Sequence, residues 1–151
     1  MEIRTLNELT ADEKAAVLAQ MEKCDWDAGQ YLCDVIREDS LEEQFGEDPV
    51  VLLLFEEDKL ASFCTYVEFD EIESEDMKPW IGFVYTFPAF RGKRFSGALV
   101  EYAVGLARKD GYKKIYVSSE EIGLYEKYGF SRIGEARSVH DYDTGIFVRE
   151  I

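Results

Sequence analysis

Phe87-Pro88-Ala89-Phe90-Arg91-Gly92-Lys93-Arg94-Phe95-Ser96-Gly97-Ala98-Leu99 is the stretch on which the fold turns. A strand-like run, Trp80 to Phe87, leads into it. Gly82 inside that run marks a bulge or a close backbone approach. Downstream, Phe95, Ala98, Leu99, Tyr102, Ala103 and Leu106 recur at helical spacing, so the loop opens directly into a helix that Gly111 ends. Strand, glycine loop, helix is the order a phosphate site needs. The first N–H groups of a helix lack internal partners, and the dipole puts partial positive charge there. Arg91, Lys93 and Arg94 place three cations within four residues of a chain whose formal net charge is −15. Such a local inversion asks for an anionic ligand, although a solvated basic turn accounts for the same residues without one. The loop is neither a Walker A loop nor a Rossmann fingerprint, since neither glycine spacing occurs.

Toward the C-terminus, Lys114 to Ser118 reads as a strand and Ile122 to Tyr128 as a short helix closed by Gly129. Ser131 to His140 and Gly145 to Ile151 read as a final hairpin. Toward the N-terminus, Asp70 to Lys78 is an acidic loop. Val50 to Phe55 is apolar throughout, as in a strand buried on both faces. Glu56 to Lys59 makes a polar turn, and Leu60 to Phe69 is its hairpin partner. Ile3 to Leu6 is a short first strand. Thr10 and Glu13 form a capping box. The helix it opens carries Ala16, Val17, Met21 and Cys24 and is broken by Asp25 to Gly29. A second helix runs from Gln30 to about Phe45 and ends near Gly46. The order is β-α-α-β-β-β-α-β-α-β-β, a mixed α/β (α+β) arrangement in one domain spanning 1–151.

The length suits one compact domain, and a hydrophobic fraction of 46% with 14% aromatics supplies a core. The start, Met1-Glu2-Ile3-Arg4, has no basic segment followed by an apolar one, so the reading is of a soluble, cytoplasmic protein. The acidic balance excludes nucleic acid and anionic membranes as partners and suits a cationic one. An acidic surface that only confers solubility would look the same. Cys24, Cys33 and Cys64 show no ligand spacing and read as small buried apolar residues, and the lone His140 excludes a multi-histidine metal site.

The run Phe87 to Leu99 resembles the pyrophosphate loop of the GNAT acyltransferases, Arg/Gln-x-x-Gly-x-Gly/Ala. Arg91 takes its first position, Arg94 stands where glycine is usual, and Ser96 stands where the final small residue is usual. Leu124-Tyr125-Glu126-Lys127-Tyr128-Gly129-Phe130 resembles that family's second signature, at the expected separation. The resemblance implies a GNAT-like fold with a central mixed sheet flanked by helices, and an enzyme that moves an acetyl or other acyl group from acetyl-CoA to a primary amine without a metal. Val84, Tyr85 and Thr86 would pair with pantetheine. Arg91, Gly92, Lys93, Arg94, Phe95 and Ser96 would wrap the pyrophosphate. Tyr125 would protonate the departing thiolate, a task a phenol can perform; taken alone it reads as a core tyrosine. The direct mechanism assigns no cysteine nucleophile.

Two family features are replaced. Ser118 occupies the place of a common asparagine. Ile81, Gly82 and Phe83 leave the strand without its usual acidic base, so Glu68, Asp70 and Glu120 are the carboxylates left to act through water. Between the first two helices, Asp25, Trp26 and Asp27 suit a cationic amine on a small molecule or a protein, and also suit a solvated acidic loop. A homodimer is left open. The alternative function is a non-catalytic acyl-CoA-binding module of the same fold, which Tyr125 argues against.

Overall fold

Alternation within the most apolar run organises the molecule. In the computed structural model, which describes residues 1–151, Val50–Glu56 is a strand whose Val51 and Leu53 enter one core and whose Leu52 and Leu54 enter another. Both faces are covered, so the run needs no polar alternate. Seven strands form one sheet: β1 (Glu2–Thr5), β2 (Val50–Glu56), β3 (Lys59–Val67), β4 (Trp80–Thr86), β5 (Lys114–Ser119), β6 (Ser131–Arg137) and β7 (Asp143–Glu150). Their order is β1-β2-β3-β4-β5-β7-β6. Neighbours are antiparallel except β4 and β5, which are parallel.

Helices α1 (Ala11–Met21), α2 (Asp27–Arg37) and α3 (Leu41–Phe45) cover one face. Their Val17, Met21, Leu32 and Phe45 share a core with Val51, Leu53, Phe63 and Trp80. Helix α4 (Phe95–Lys109) covers the other face, with Leu99, Val100, Ala103 and Val104 against Leu52, Ile81, Ile115 and Phe147. The Thr10 capping box forms: the Glu13 N–H donates to Thr10 Oγ1 at 3.2 Å, and the Thr10 N–H to Glu13 Oε1 at 2.9 Å. Glu57 and Asp58, at φ 52° and 66°, make the two-residue turn between β2 and β3. All three cysteines are free and buried.

The expected element order is found, with four local differences. The helix expected from Gln30 to Phe45 is two helices. It starts earlier, at Asp27, and breaks where Asp39 adopts φ 53° and the Ser40 hydroxyl donates to the Val35 carbonyl at 3.3 Å. Ile122 to Tyr128 is not an α-helix but a bend followed by one 3₁₀ turn, Tyr125–Tyr128, capped by Gly129 at φ 86°. On α4 the buried stripe is rotated: Val100, Val104 and Ala107 are buried, while Tyr102 is exposed. Small side chains let that helix approach the sheet, and the phenol stays at the rim. Finally, β6 stops at Arg137, which frees Ser138 to Tyr142 as a turn that reaches the site described next.

Candidate active site

β4 and β5 are joined through only two residue pairs, Trp80 with Tyr116 and Ile81 with Val117, and then part. The cause lies on the other edge of β4. Thr65 faces Gly82 and Phe63 faces Tyr85, so Phe83 and Val84 oppose the single residue Cys64, and Phe83 takes φ 51°. This bulge turns the strand away from β5. From Gly82 onward the β5-facing backbone edge has no strand partner. Unpaired N–H and C=O groups inside a sheet are a template for an extended amide-bearing ligand.

The parted strands open a cavity of about 600 Å³. Trp26, Phe45, Phe83, Ser118, Glu121 and Tyr125 line it. Tyr142 and His140 of the β6–β7 turn also line it. Loop and turn are clamped together. The Tyr142 and Ser118 hydroxyls both donate to the Glu71 carboxylate, and the Val139 N–H donates to the Glu71 carbonyl at 2.8 Å. Burial, then the Glu71 hydrogen bond, pushes the Tyr142 phenol up to about 12.

β4 ends in the basic loop. Gly92 takes φ 85°, and Arg94, the residue before α4, takes φ 62°. No side chain caps the first turn of α4 and no acidic residue lies in it, so its N–H groups face outward beside three cations. That is an anion site by chemistry. Phe95 is buried in the core, which leaves it only a backbone N–H to offer. Ser96 Oγ and the Tyr128 hydroxyl share a 2.8 Å hydrogen bond, tying this turn to the second sequence signature. Arg91 folds back, its Nε donating to the Thr86 carbonyl at 2.9 Å and its guanidinium 5.6 Å from the Tyr85 ring.

Of the residues singled out from sequence, Val84, Trp26, Asp27 and Tyr125 line the cavity, and the basic loop lies outside its lining. Asp25 lies outside too: its Oδ1 accepts from the Tyr85 hydroxyl at 2.9 Å, while Trp26 stacks on the same ring at 5.7 Å. Tyr125 is buried, and burial pushes its phenol well above the usual value, with Glu121 adding, so it holds its proton at neutral pH. Burial likewise pushes the Cys33 thiol up to about 11 and that of Cys64 higher still, the opposite of activation.

Sequence reasoning missed Glu71, Tyr142 and Tyr31. No motif holds them; they come from the acidic loop, the last turn and α2. Of the three carboxylates left open as a base, Glu68 lies away from the cavity, near Lys78 at 3.8 Å, and Glu120 is exposed. Asp70 is half-buried as a residue, but its Oδ1 is sealed from solvent without a hydrogen-bond partner.

A mixed sheet parted at its one parallel junction, with a basic helix N-terminus at the end of the parted strand, defines a class of acyl-transfer enzymes. The family model described as the acetyltransferase (GNAT) family matches residues 15–130, and the chain belongs to that family. A non-catalytic module is thereby not favoured. An aminoglycoside 6′-acetyltransferase type Ii is similar in structure, with TM-score 0.71 and 14% identity over 99% of this chain and 97% of that one. An aminoglycoside 6′-N-acetyltransferase complexed with coenzyme A gives 0.68 and 12% over 99% and 97%. Ribosomal-protein-alanine N-acetyltransferase from Brucella melitensis gives 0.64 and 18% over 100% of both chains. Likeness at such identity shows the fold, not the acceptor. No curated protein sequence matches the chain. No helix is long and apolar enough to cross a membrane.

Proposed function

We propose that the protein transfers the acetyl group of acetyl-CoA to a primary amine of a small, cationic acceptor. One observation carries the choice of acceptor. The cavity is lined by Asp27, Asp70, Glu71, Glu120 and Glu121, and by no lysine or arginine. Aromatic rings from Trp26, Tyr31 and Phe83 stand among these carboxylates. Acidic groups and ring faces together favour an ammonium over a neutral or anionic acceptor.

The residues present also fit the donor. The outward N–H groups of α4, with Arg91, Lys93 and Arg94, would hold the pyrophosphate. The free edge of Val84, Tyr85 and Thr86 would pair with the pantetheine amides. Acetyl-CoA supplies a thioester, whose carbonyl carbon an amine can attack directly. Tyr125 would give its proton to the sulfur that leaves. Arg91 must swing off Thr86 before that backbone is free to pair.

A panel of spermidine, kanamycin and an alanine-starting peptide, each with acetyl-CoA, tests the reading through release of free thiol. Spermidine or kanamycin should turn over and the peptide should not. Efficient acetylation of the peptide alone would overturn the cationic small-molecule assignment.

A further inference from the structure

We infer that Asp70 is the proton acceptor for the attacking amine, its carboxyl delivered from the β3–β4 loop into the space that Gly82 leaves empty on β4. This rests on the acetyl-transfer reading above.

Gly82 has no side chain, and the place a Cβ would take is filled. Such an atom would collide with Asp70 Oδ1 and lie 3.0 Å from both Asp70 Cγ and Thr65 Oγ1. The backbone of Gly82 is not left-handed, so glycine is needed for room rather than conformation. The loop thus brings a carboxyl to the strand from outside it. Asp70 Oδ1 and Thr65 Oγ1 are the two buried side-chain atoms without hydrogen-bond partners, and both flank the same glycine. Leaving such atoms unsatisfied costs stability, and Asp70, unlike the fully buried Thr65, also lines the cavity, so its unpaired carboxyl points to a ligand N–H that completes it.

Other carboxylates serve the task less well. Both functional sides of Glu71 are engaged, by Ser118 and Tyr142. Glu120 and Glu121 are exposed and solvated. Burial pushes the Asp70 carboxyl up to about 7, and the charge of Glu71 adds to it. A base poised near the working pH can both take and release a proton. The groups facing Asp70 are Glu71 in its own loop, Tyr125 and Tyr142, whose phenols its charge raises, and the neutral Thr65 and Gly82. None is a cation, and the one opposing influence, a hydrogen bond from the Glu71 backbone, is smaller than the effect of burial.

The proton count closes. The ammonium gives one proton to the Asp70 carboxylate. The freed nitrogen lone pair forms a C–N bond to the thioester carbonyl carbon. The C–S bond breaks and its electron pair leaves on sulfur, which takes the Tyr125 proton. The nitrogen's second proton restores the tyrosine through solvent, and Asp70 releases its own to water.

Asp70→Asn keeps the shape and removes the base. With spermidine or kanamycin, kcat/KM at pH 7 should fall about a hundredfold or more. The acid limb of the pH profile with midpoint near 7 should vanish, and acetyl-CoA affinity by calorimetry should not change. Asp70→Ala combined with Gly82→Asp offers a carboxylate from the strand instead, and should restore an acid limb. A readout free of any acceptor is carboxyl ¹³C titration of aspartate-labelled protein: one resonance should titrate near 7 and be missing in Asp70→Asn. A native rate and acid limb in Asp70→Asn, or a titration of Asp70 in the ordinary carboxylate range, overturns the proposal alone. Failure of the native enzyme to acetylate any amine overturns the acetyl-transfer reading and the proposal with it.

Discussion

Tyr125 and Asp70 divide the proton work in the proposed reaction, and burial raises both groups to different ends. It keeps the phenol protonated, as a donor must be, and brings the carboxyl from an ordinary 3.8 to about 7, as an acceptor near neutrality must be. Tyr125→Phe removes one hydroxyl from a ring that still packs on Tyr128, Phe130 and Phe147. The fold and acetyl-CoA affinity should persist, and kcat should fall by about a hundredfold, with KM for acetyl-CoA little changed. Steady-state kinetics with an established acceptor decides it; native turnover in the variant would make Tyr125 a packing residue. Tyr125 was legible in the sequence because a short motif surrounds it. Asp70 was only one of three open carboxylates: Gly82 marks a bulge or a close approach in the sequence, but nothing local says that a side chain from twelve residues earlier fills the room it leaves.

Elements divide in the same way. Strands β2 and β3, the capping box of α1 and the loop into α4 could be read from the chain because their causes are local: a continuous apolar run with a polar turn after it, a cap, a glycine at positive φ. Thr10→Ala removes the cap and should cost about 1 kcal/mol by chemical denaturation without changing turnover, since α1 lies away from the cavity. The loop behaves oppositely. Arg91→Glu reverses a charge at the N-terminus of α4, and Gly92→Asp adds a side chain and a negative charge where φ is 85°. Both should stay folded and bind CoA at least tenfold more weakly by calorimetry. Native affinity in both would remove the loop from the cofactor site. The parting of β4 from β5 came only as something the family resemblance implied, and the turn at Ser138 to Tyr142 that closes the cavity was not disclosed at all. Each depends on contacts between segments far apart in the chain, such as Glu71 with Tyr142. The break at Asp39 is a subtler case: α2 ends where Asp39 turns left-handed and the Ser40 hydroxyl donates back to the Val35 carbonyl, a local stop inside a run of helical spacing.

For the whole molecule, Asp70 is a cost that function would explain. Its folded carboxyl holds a proton more tightly than the unfolded one, about 7 against 3.8. Between those values the native state binds more protons than the unfolded chain, so this group's contribution falls as pH rises. The contribution is intact below 3.8, is lost progressively up to about 7 and is flat above. Asp70→Asn has no such proton to lose. The variant should therefore gain on the native protein by about 1.4 kcal/mol per pH unit across that window, and each kcal/mol moves Tm by about 2–4 °C for a chain of this size. Other carboxylates, which set the net charge of −15, are present in both proteins and cancel in the difference. High salt screens exposed charges but hardly reaches a sealed one, so the gap should survive at 1 M sodium chloride. Denaturation of both proteins at pH 5, 6, 7 and 8 measures it. A gap that widens to pH 7 and then levels, alongside lost turnover in the same variant, places one buried carboxyl at the point where stability is traded for catalysis. A gap independent of pH would mean that Asp70 is ionised throughout in an ordinary environment, and the trade would not exist.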